Sequence, residues 1–263
     1  MKKIAVVTGA SSGIGYSTAK ELALNGFTVY GLNRRELNDS LIKFIKTDIC
    51  DENSVESAIK YIIQVEGRID VLVNNAGGGI SGAVEFTNAI DAKKLFDLNF
   101  YGTVNVSKAV IPHMRVQGSG KIINISSVAA IAPIPFQTFY SSTKSAVLTY
   151  SLALANELKP FGIIVSTVLP GDIKTEFTSS RIKNEMGDDV YTGRISRSVT
   201  KMEKDEINGM LPEKAGKFIA SVAMNKRRKP VYVIGALYKC LSLIIKLLPM
   251  SIVNIIIGKL YAN

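Results

Sequence analysis

Tyr140 and Lys144 stand four residues apart, and Ser127 precedes the tyrosine by thirteen. On a helix the phenol and the amine share one face, a turn apart. A phenol that trades protons with a substrate oxygen needs help near neutrality, because its unperturbed pKa is about 10. A lysine ammonium beside it favours the tyrosinate and is expected to lower that value. A serine hydroxyl can hold the same substrate oxygen next to the phenol. Ser126 competes with Ser127 for that role. Tyrosine and lysine at this spacing arise often by chance, and the serine ahead of them is what makes the set a candidate for chemistry.

A second set lies at the other end of the chain. The apolar run at residues 4–8 passes into Gly9-Ala10-Ser11-Ser12-Gly13-Ile14-Gly15. Glycine permits a sharp turn and lets backbone N–H groups approach a pyrophosphate, and the helix that follows offers its positive end. The spacing is GxxxGxG, not the dinucleotide fingerprint GxGxxG. An ordinary glycine-rich turn would look the same, but the position straight after a first strand favours phosphate binding. The second strand ends in Asn33-Arg34-Arg35. An acid there would bind a ribose 2′-hydroxyl; none is present, and arginine forks onto a 2′-phosphate. NADP(H) is therefore favoured, and NAD(H) stays open if the arginines are only a solvated turn. Asp48, followed by Ile49, offers a carboxylate to an adenine amino group, or else a turn cap ahead of Ser54. Hydride transfer to a ketone leaves an alkoxide that must gain a proton, and a positively charged nicotinamide ring would reinforce the effect of Lys144 on Tyr140.

These residues need a scaffold that brings them to one edge. Short, near-continuous apolar runs fall at residues 4–8, 28–32, 44–47, 71–74, 121–125, 163–169 and 231–234, as parallel strands covered on both faces require. Helical stretches lie between them, notably 13–25, 54–66 and 138–159, stopped by Gly26, Gly67 and the pair Pro160 and Gly162. The alternation implies an α/β fold: one Rossmann-like domain with a doubly wound, seven-stranded parallel sheet and helices on both faces. Ser127 then sits at the C-terminal edge of the sheet, where such folds place their sites. Residues 1–235 form the expected catalytic domain, within which the polar, irregular stretch 176–210 reads as a substrate lid. Residues 236–263 read as an apolar, amphipathic helical extension with Lys239, Ser242 and Lys246 on one face. This tail has three readings: a cover for the cleft, a subunit interface, or a peripheral membrane contact with its lysines toward anionic lipid. Its longest uncharged run, residues 247–258, contains Pro249 and falls short of a membrane span of about 20 residues.

Composition narrows the partners. The formal charge of +10 suits acidic ligands, carrier proteins or a membrane surface, but no nucleic-acid module accompanies it. Cys50 and Cys240 stand far apart without a CxxC pair, which argues against a disulfide framework or a metal site and fits a reducing cytoplasm. The sole histidine, His113, reads as a surface helix residue.

Taken in order, Thr8-Gly-Ala-Ser-Ser-Gly-Ile-Gly15, Asp48-Ile49, Asn74-Asn75-Ala76-Gly77, Asn99, Asn124-Ile-Ser-Ser127, Tyr140-Ser-Ser-Thr-Lys144 and Pro170-Gly-Asp-Ile-Lys-Thr175 resemble a short-chain dehydrogenase/reductase over nearly the full length of the chain. The segment 74–85 and the ending 228–235 with its apolar tail are similar to the hydroxysteroid/retinol dehydrogenase-like branch. The resemblance implies that Asn99 joins Ser127, Tyr140 and Lys144 in a tetrad and fixes a water that relays protons from the lysine. It implies that Asn75, Ala76 and Gly77 line the adenosine side, that Lys144 bonds the nicotinamide ribose, and that Pro170, Gly171, Ile173 and Thr175 flank the nicotinamide, Ile173 and Thr175 holding its carboxamide. It also implies a homo-oligomer, dimer or tetramer. Ile80, Val84, Ile131, Ile134, Phe136, Phe139 and Phe177 suggest an apolar pocket. The expected substrate is a small lipophilic ketone or aldehyde, steroid- or retinoid-like. A 3-oxoacyl-[acyl-carrier-protein] reductase is the alternative enzyme, and a dinucleotide-sensing protein the alternative without turnover.

Overall fold

Side chains alternate across a strand, so Ile4 and Val6 face one way and Ala5 and Val7 the other. All four are buried, which demands cover on both faces of the sheet. A computed structural model, describing residues 2–262, supplies that cover. The strands of its main sheet are β1 (Ile4–Thr8), β2 (Thr28–Asn33), β3 (Ile42–Lys46), β4 (Val71–Asn74), β5 (Gly120–Ile125), β6 (Ile163–Leu169) and β7 (Val231–Val233). They pair in parallel in the order β3-β2-β1-β4-β5-β6-β7. The helices of eight residues or more are α1 (Gly13–Leu24), α2 (Glu52–Glu66), α3 (Ala89–Phe96), α4 (Gly102–Gln117), α5 (Thr138–Leu158), α6 (Arg194–Ile207), α7 (Pro212–Met224), α8 (Ala236–Leu247) and α9 (Met250–Tyr261).

One face packs Ala5, Val7 and Val29 against Ala19 and Leu22 of α1 and Ala215 and Ile219 of α7. Small residues let α1 and α7 meet closely: a Cβ on Gly216 would lie 2.6 Å from the Ser17 carbonyl carbon. The other face packs Ile4, Val6 and Leu72 against Ile59 and Ile62 of α2, Val106 and Val110 of α4, and Leu154 of α5. Strand order reverses between β1 and β4, so a crevice opens at their C-terminal ends.

Three local expectations are corrected. β3 starts earlier than expected, at Ile42, and Thr47 lies beyond its end. α2 begins at Glu52 rather than at Ser54, because the Asp51 carboxylate caps it by accepting the Asn53 N–H. The stretch 176–210 is not irregular throughout: α6 buries Ile195, Val199 and Met202, whose helical spacing is obscured by the charges between them. The helical tail falls into two pieces, since Pro249 ends the run between α8 and α9. Within it Ser242 is buried, whereas Leu237, Leu243 and Leu247 are exposed.

Candidate active site

The loop after β1 is built so that backbone, not side chain, faces the crevice. Gly9 has φ +65° and Gly13 φ +55°, the left-handed region that favours glycine. A Cβ on Gly9 would come within 2.9 Å of the Ala76 Cα. Ser11, Ser12 and Ile14 line the crevice with these two glycines. Gly15 does not line it. A Cβ there would drive into the Gly9 carbonyl and the Asn75 amide, so its role is to seat α1 close against the strand loops.

Thr8 and Asn75 rivet the neighbouring loop in place. The Thr8 hydroxyl accepts the N–H groups of Asn75 (2.9 Å) and Ala76 (3.0 Å). The Asn75 amide donates back to the carbonyls of Thr8 (3.1 Å) and Gly9 (3.3 Å). This holds Asn75, Ala76 and Gly77 as one wall of the cleft. Asn33 supports the opposite wall, its Oδ1 accepting the Ala10 N–H at 2.6 Å. Arg34 lines the cleft, is exposed, and makes no ion pair among the described residues. Asp48 and Ile49 also line it; one Asp48 oxygen accepts the Cys50 N–H, so a turn role accompanies the expected adenine contact. A cradle of glycine backbone at the start of α1 fits the pyrophosphate of a dinucleotide.

Ser127 follows β5 in an extended conformation, and α5 carries Tyr140 and Lys144 past it. The Ser127 hydroxyl accepts the Ala129 N–H at 3.1 Å and faces the same part of the cleft as the Tyr140 phenol. Ser126 is committed elsewhere, donating to the Lys144 carbonyl at 2.7 Å. The Lys144 ammonium donates to the Ile125 carbonyl at 3.1 Å and lies 5.7 Å from the centre of the Tyr140 ring. Asn99 sits in a π-helical turn, residues Asp97–Tyr101, between α3 and α4. Such turns aim a side chain out of the ordinary helical register. Its amide donates to the Gly78 carbonyl (3.0 Å) and to Thr143 (2.9 Å), and its oxygen accepts the Gly78 N–H (2.8 Å). Asn99 therefore lies behind the cleft wall and ties it to the helical turn between Tyr140 and Lys144.

The electrostatics differ from the expectation. Burial pushes the Tyr140 phenol up to about 12, partly offset by the neighbouring Ser127 hydroxyl. Burial also pulls the Lys144 amine down to about 8. Desolvation is the leading cause for both groups, because a charge on either is costly in this setting.

Beyond Tyr140 the cleft, about 1200 Å³ in volume, turns apolar. Phe177 lies 5.4 Å from the Tyr140 ring, centre to centre, and covers Gly79. Ile80 and Ile134 line this part, as expected, but Val84, Ile131, Phe136 and Phe139 do not. Phe136 instead joins Ile195, Val199 and Met202 beneath α6. Pro170, Gly171, Ile173 and Thr175 all border the cleft, with Thr175 packed on Gly13. Much of the remaining wall comes from the tail, including Leu241, Ile244, Ile245, Val253 and Ile257. A cover for the cleft is one of the three readings the sequence allows for the tail, though without these particular residues; Thr8 and Asp172 carry no assigned role there. The tail is pinned at both ends: Tyr238 hydrogen-bonds Asp172, and Tyr261 donates to Asp205 at 3.1 Å. His113 is half-buried on α4, away from the cleft.

Residues 3–186 match the sequence pattern of the short chain dehydrogenase family. The chain is 43% identical over 227 residues to a protein of Bacteroides thetaiotaomicron named 3-ketodihydrosphingosine reductase, covering 85% of this chain and 84% of that one. Among solved structures, a short-chain dehydrogenase from Streptomyces avermitilis superposes with a TM-score of 0.82 at 30% identity, over 91% of this chain and 90% of the other. ElxO with NADP bound superposes with a TM-score of 0.76, also at 30% identity, over 91% of this chain and all (100%) of ElxO.

Proposed function

Since the chain belongs to the short-chain dehydrogenase/reductase family, enzymes that act on CH–OH groups and their carbonyl counterparts, we propose that it reduces a long-chain lipid ketone with NADPH. The observation that carries this reading is the continuity of the cleft. It runs from the Gly9–Gly13 cradle, past Ser127, Tyr140 and Lys144, into a wall of leucine and isoleucine supplied by α8 and α9. A small ketone needs no such wall; an alkyl chain does.

The residues divide the work as follows. Gly9, Ser11, Ser12, Gly13 and Ile14 hold the pyrophosphate, and Arg34 takes the 2′-phosphate. Asp48, Ile49 and the wall of Asn75, Ala76 and Gly77 enclose the adenosine, while Ile173 and Thr175 border the nicotinamide. NADPH, when bound, supplies a hydride to the carbonyl carbon. Ser127 donates a hydrogen bond to the carbonyl oxygen, and Tyr140, protonated at neutral pH because burial raises it, gives its proton to the alkoxide that forms. Lys144, cationic below about pH 8, sits where it can stabilise the tyrosinate and help restore its proton. Asn99 positions this group by fixing Gly78 and Thr143.

The polar head of the substrate has a counterpart too. Asp172 lines the cleft and is half-buried; its one side-chain partner among the described residues is the Tyr238 hydroxyl, and it makes no ion pair there. An unpaired carboxylate in an apolar cleft suits a cation. The substrate named for the Bacteroides relative is a long-chain ketone with an amine on the adjacent carbon, which would supply one. The acyl-carrier alternative has no use for this carboxylate.

The test is loss of NADPH absorbance with 3-ketodihydrosphingosine, compared with short-chain ketones. Tyr140→Phe should lower turnover by roughly 10²- to 10⁴-fold while NADPH still binds. NADPH binding without turnover of any ketone would favour a sensor instead. Equal turnover of short and long ketones would remove the lipid assignment.

A further inference from the structure

The tail helices are apolar on two sides. Their inner side lines the cleft. Their outer side exposes Leu237, Leu243, Leu247, Met250, Ile252 and Ile255, with Leu247 84% accessible, and none of these six borders the cleft. A helix apolar all round belongs in apolar surroundings on every side, and a patch of this kind marks an interaction surface.

Charge indicates what covers it. Seven lysines and arginines, and no acidic residue, lie between positions 226 and 259. Lys239 and Lys246 follow the turns of α8 beside Leu243, and Lys259 falls between Ile252 and Ile255 on the face of α9. Lys239 stands over the Phe218 ring and Lys229 over the Tyr232 ring, and the two rings touch edge to face, so the basic run 226–229 is joined to α8. Pairing this face with the same face of a second copy would set lysine against lysine. A surface of anionic headgroups over acyl chains matches both the cations and the leucines, with lysine stems lying along the apolar side chains.

We infer that the outer face of α8 and α9 seats on an anionic lipid bilayer, placing the cleft wall against the membrane so that a lipid substrate enters without crossing water. No helix among the described residues is long and apolar enough to span a membrane, so the contact is peripheral. The entry route rests on the lipid-ketone reading; the surface contact does not.

Co-sedimentation with phosphatidylcholine vesicles, with and without phosphatidylglycerol, tests the contact. The protein should partition to the anionic vesicles and be released by salt. Leu247→Glu/Ile255→Glu and, separately, Lys246→Glu/Lys259→Glu should each weaken partitioning by at least about tenfold, with turnover of a water-soluble ketone unchanged. Failure to bind anionic vesicles, or binding that ignores both variants, overturns the inference. So does a dimer, seen by light scattering, that Leu247→Glu/Ile255→Glu dissolves, for then a second copy covers the face. Vesicle binding as expected, with no turnover of a long-chain ketone, would remove the substrate assignment and leave the membrane face standing.

Discussion

Replacing Thr8 with valine keeps the shape of the side chain and deletes one oxygen. That oxygen accepts two backbone N–H groups, of Asn75 at 2.9 Å and of Ala76 at 3.0 Å, in a residue only 1% accessible. Deletion strands both donors, which belong to partly buried residues of the cleft wall. Each stranded buried donor costs about 1–3 kcal/mol, and some relaxation of the loop brings the expected total to about 2–4 kcal/mol. In a chain of this size each kcal/mol moves the melting temperature by about 2–4 °C, so Thr8→Val should melt on the order of 4–16 °C below the wild type. Thr8→Ser keeps the acceptor and loses only a methyl group, about 1 kcal/mol. The same two bonds hold the wall made by Asn75, Ala76 and Gly77, so Thr8→Val should also weaken NADPH binding, read by fluorescence titration, whereas Thr8→Ser should bind nearly as the wild type does. Thermal scans at one fixed rate provide the comparison. Equal melting of the valine and serine variants would show that the hydroxyl holds nothing, and the account of the wall would fail.

Arg34→Asp should weaken NADPH binding by roughly 10- to 100-fold, the worth of a charge-assisted contact, and leave NADH binding little changed; equal effects on both would refute the 2′-phosphate assignment. Asp172→Asn still accepts from Tyr238 but loses its charge, so kcat/KM for 3-ketodihydrosphingosine should fall about tenfold or more while a ketone of the same length without the amine is unaffected. An equal fall for both substrates would make Asp172 a pin for the tail and nothing more. Burial holds the Lys144 amine at about 8, against an ordinary 10.5. Between those values the unfolded chain binds a proton that the folded chain does not, so stability should rise with pH from about 8 toward 10. Lys121, also lowered to about 8 by burial, adds a share of the same sign. Urea midpoints should therefore climb across this window in the wild type and less steeply in Lys144→Met; a slope unchanged by the substitution would show that Lys144 is not desolvated as described.

The sheet was legible because parallel strands covered on both faces need long apolar runs, and few other elements produce them. Residues 4–8, 71–74 and 163–169 were bounded without error, each flanked by glycine, proline or polar residues. The candidate site was legible where one residue type has few alternative uses, as with Gly9, Gly13 and the spacing of Tyr140 and Lys144. It was not legible where the role is a hydrogen bond to distant backbone. Thr8 bonds to residues 67 and 68 positions away, and a threonine at the end of a strand looks like any other. The choice between Ser126 and Ser127 likewise rests on which hydroxyl meets the Lys144 carbonyl, 18 residues on.

The proton chemistry shows most sharply what spacing omits. Four residues of separation place an amine beside a phenol, and from that alone a lowered phenol pKa follows. Yet desolvation depends on everything packed around the pair, and here that includes Phe177 from beyond β6 and an apolar wall from the far end of the chain. The same enclosure acts on both partners, raising the phenol to about 12 and lowering the amine to about 8. A phenol held protonated is poised to give a proton rather than to take one. The burial that favours a lipid substrate therefore also favours carbonyl reduction at neutral pH, and alcohol oxidation should require a higher pH, where the phenol can lose its proton. If the oxidation rate were flat from neutral to alkaline pH while reduction proceeded normally, burial would not be setting the state of Tyr140, and the link between the cleft wall and the direction of the reaction would be broken.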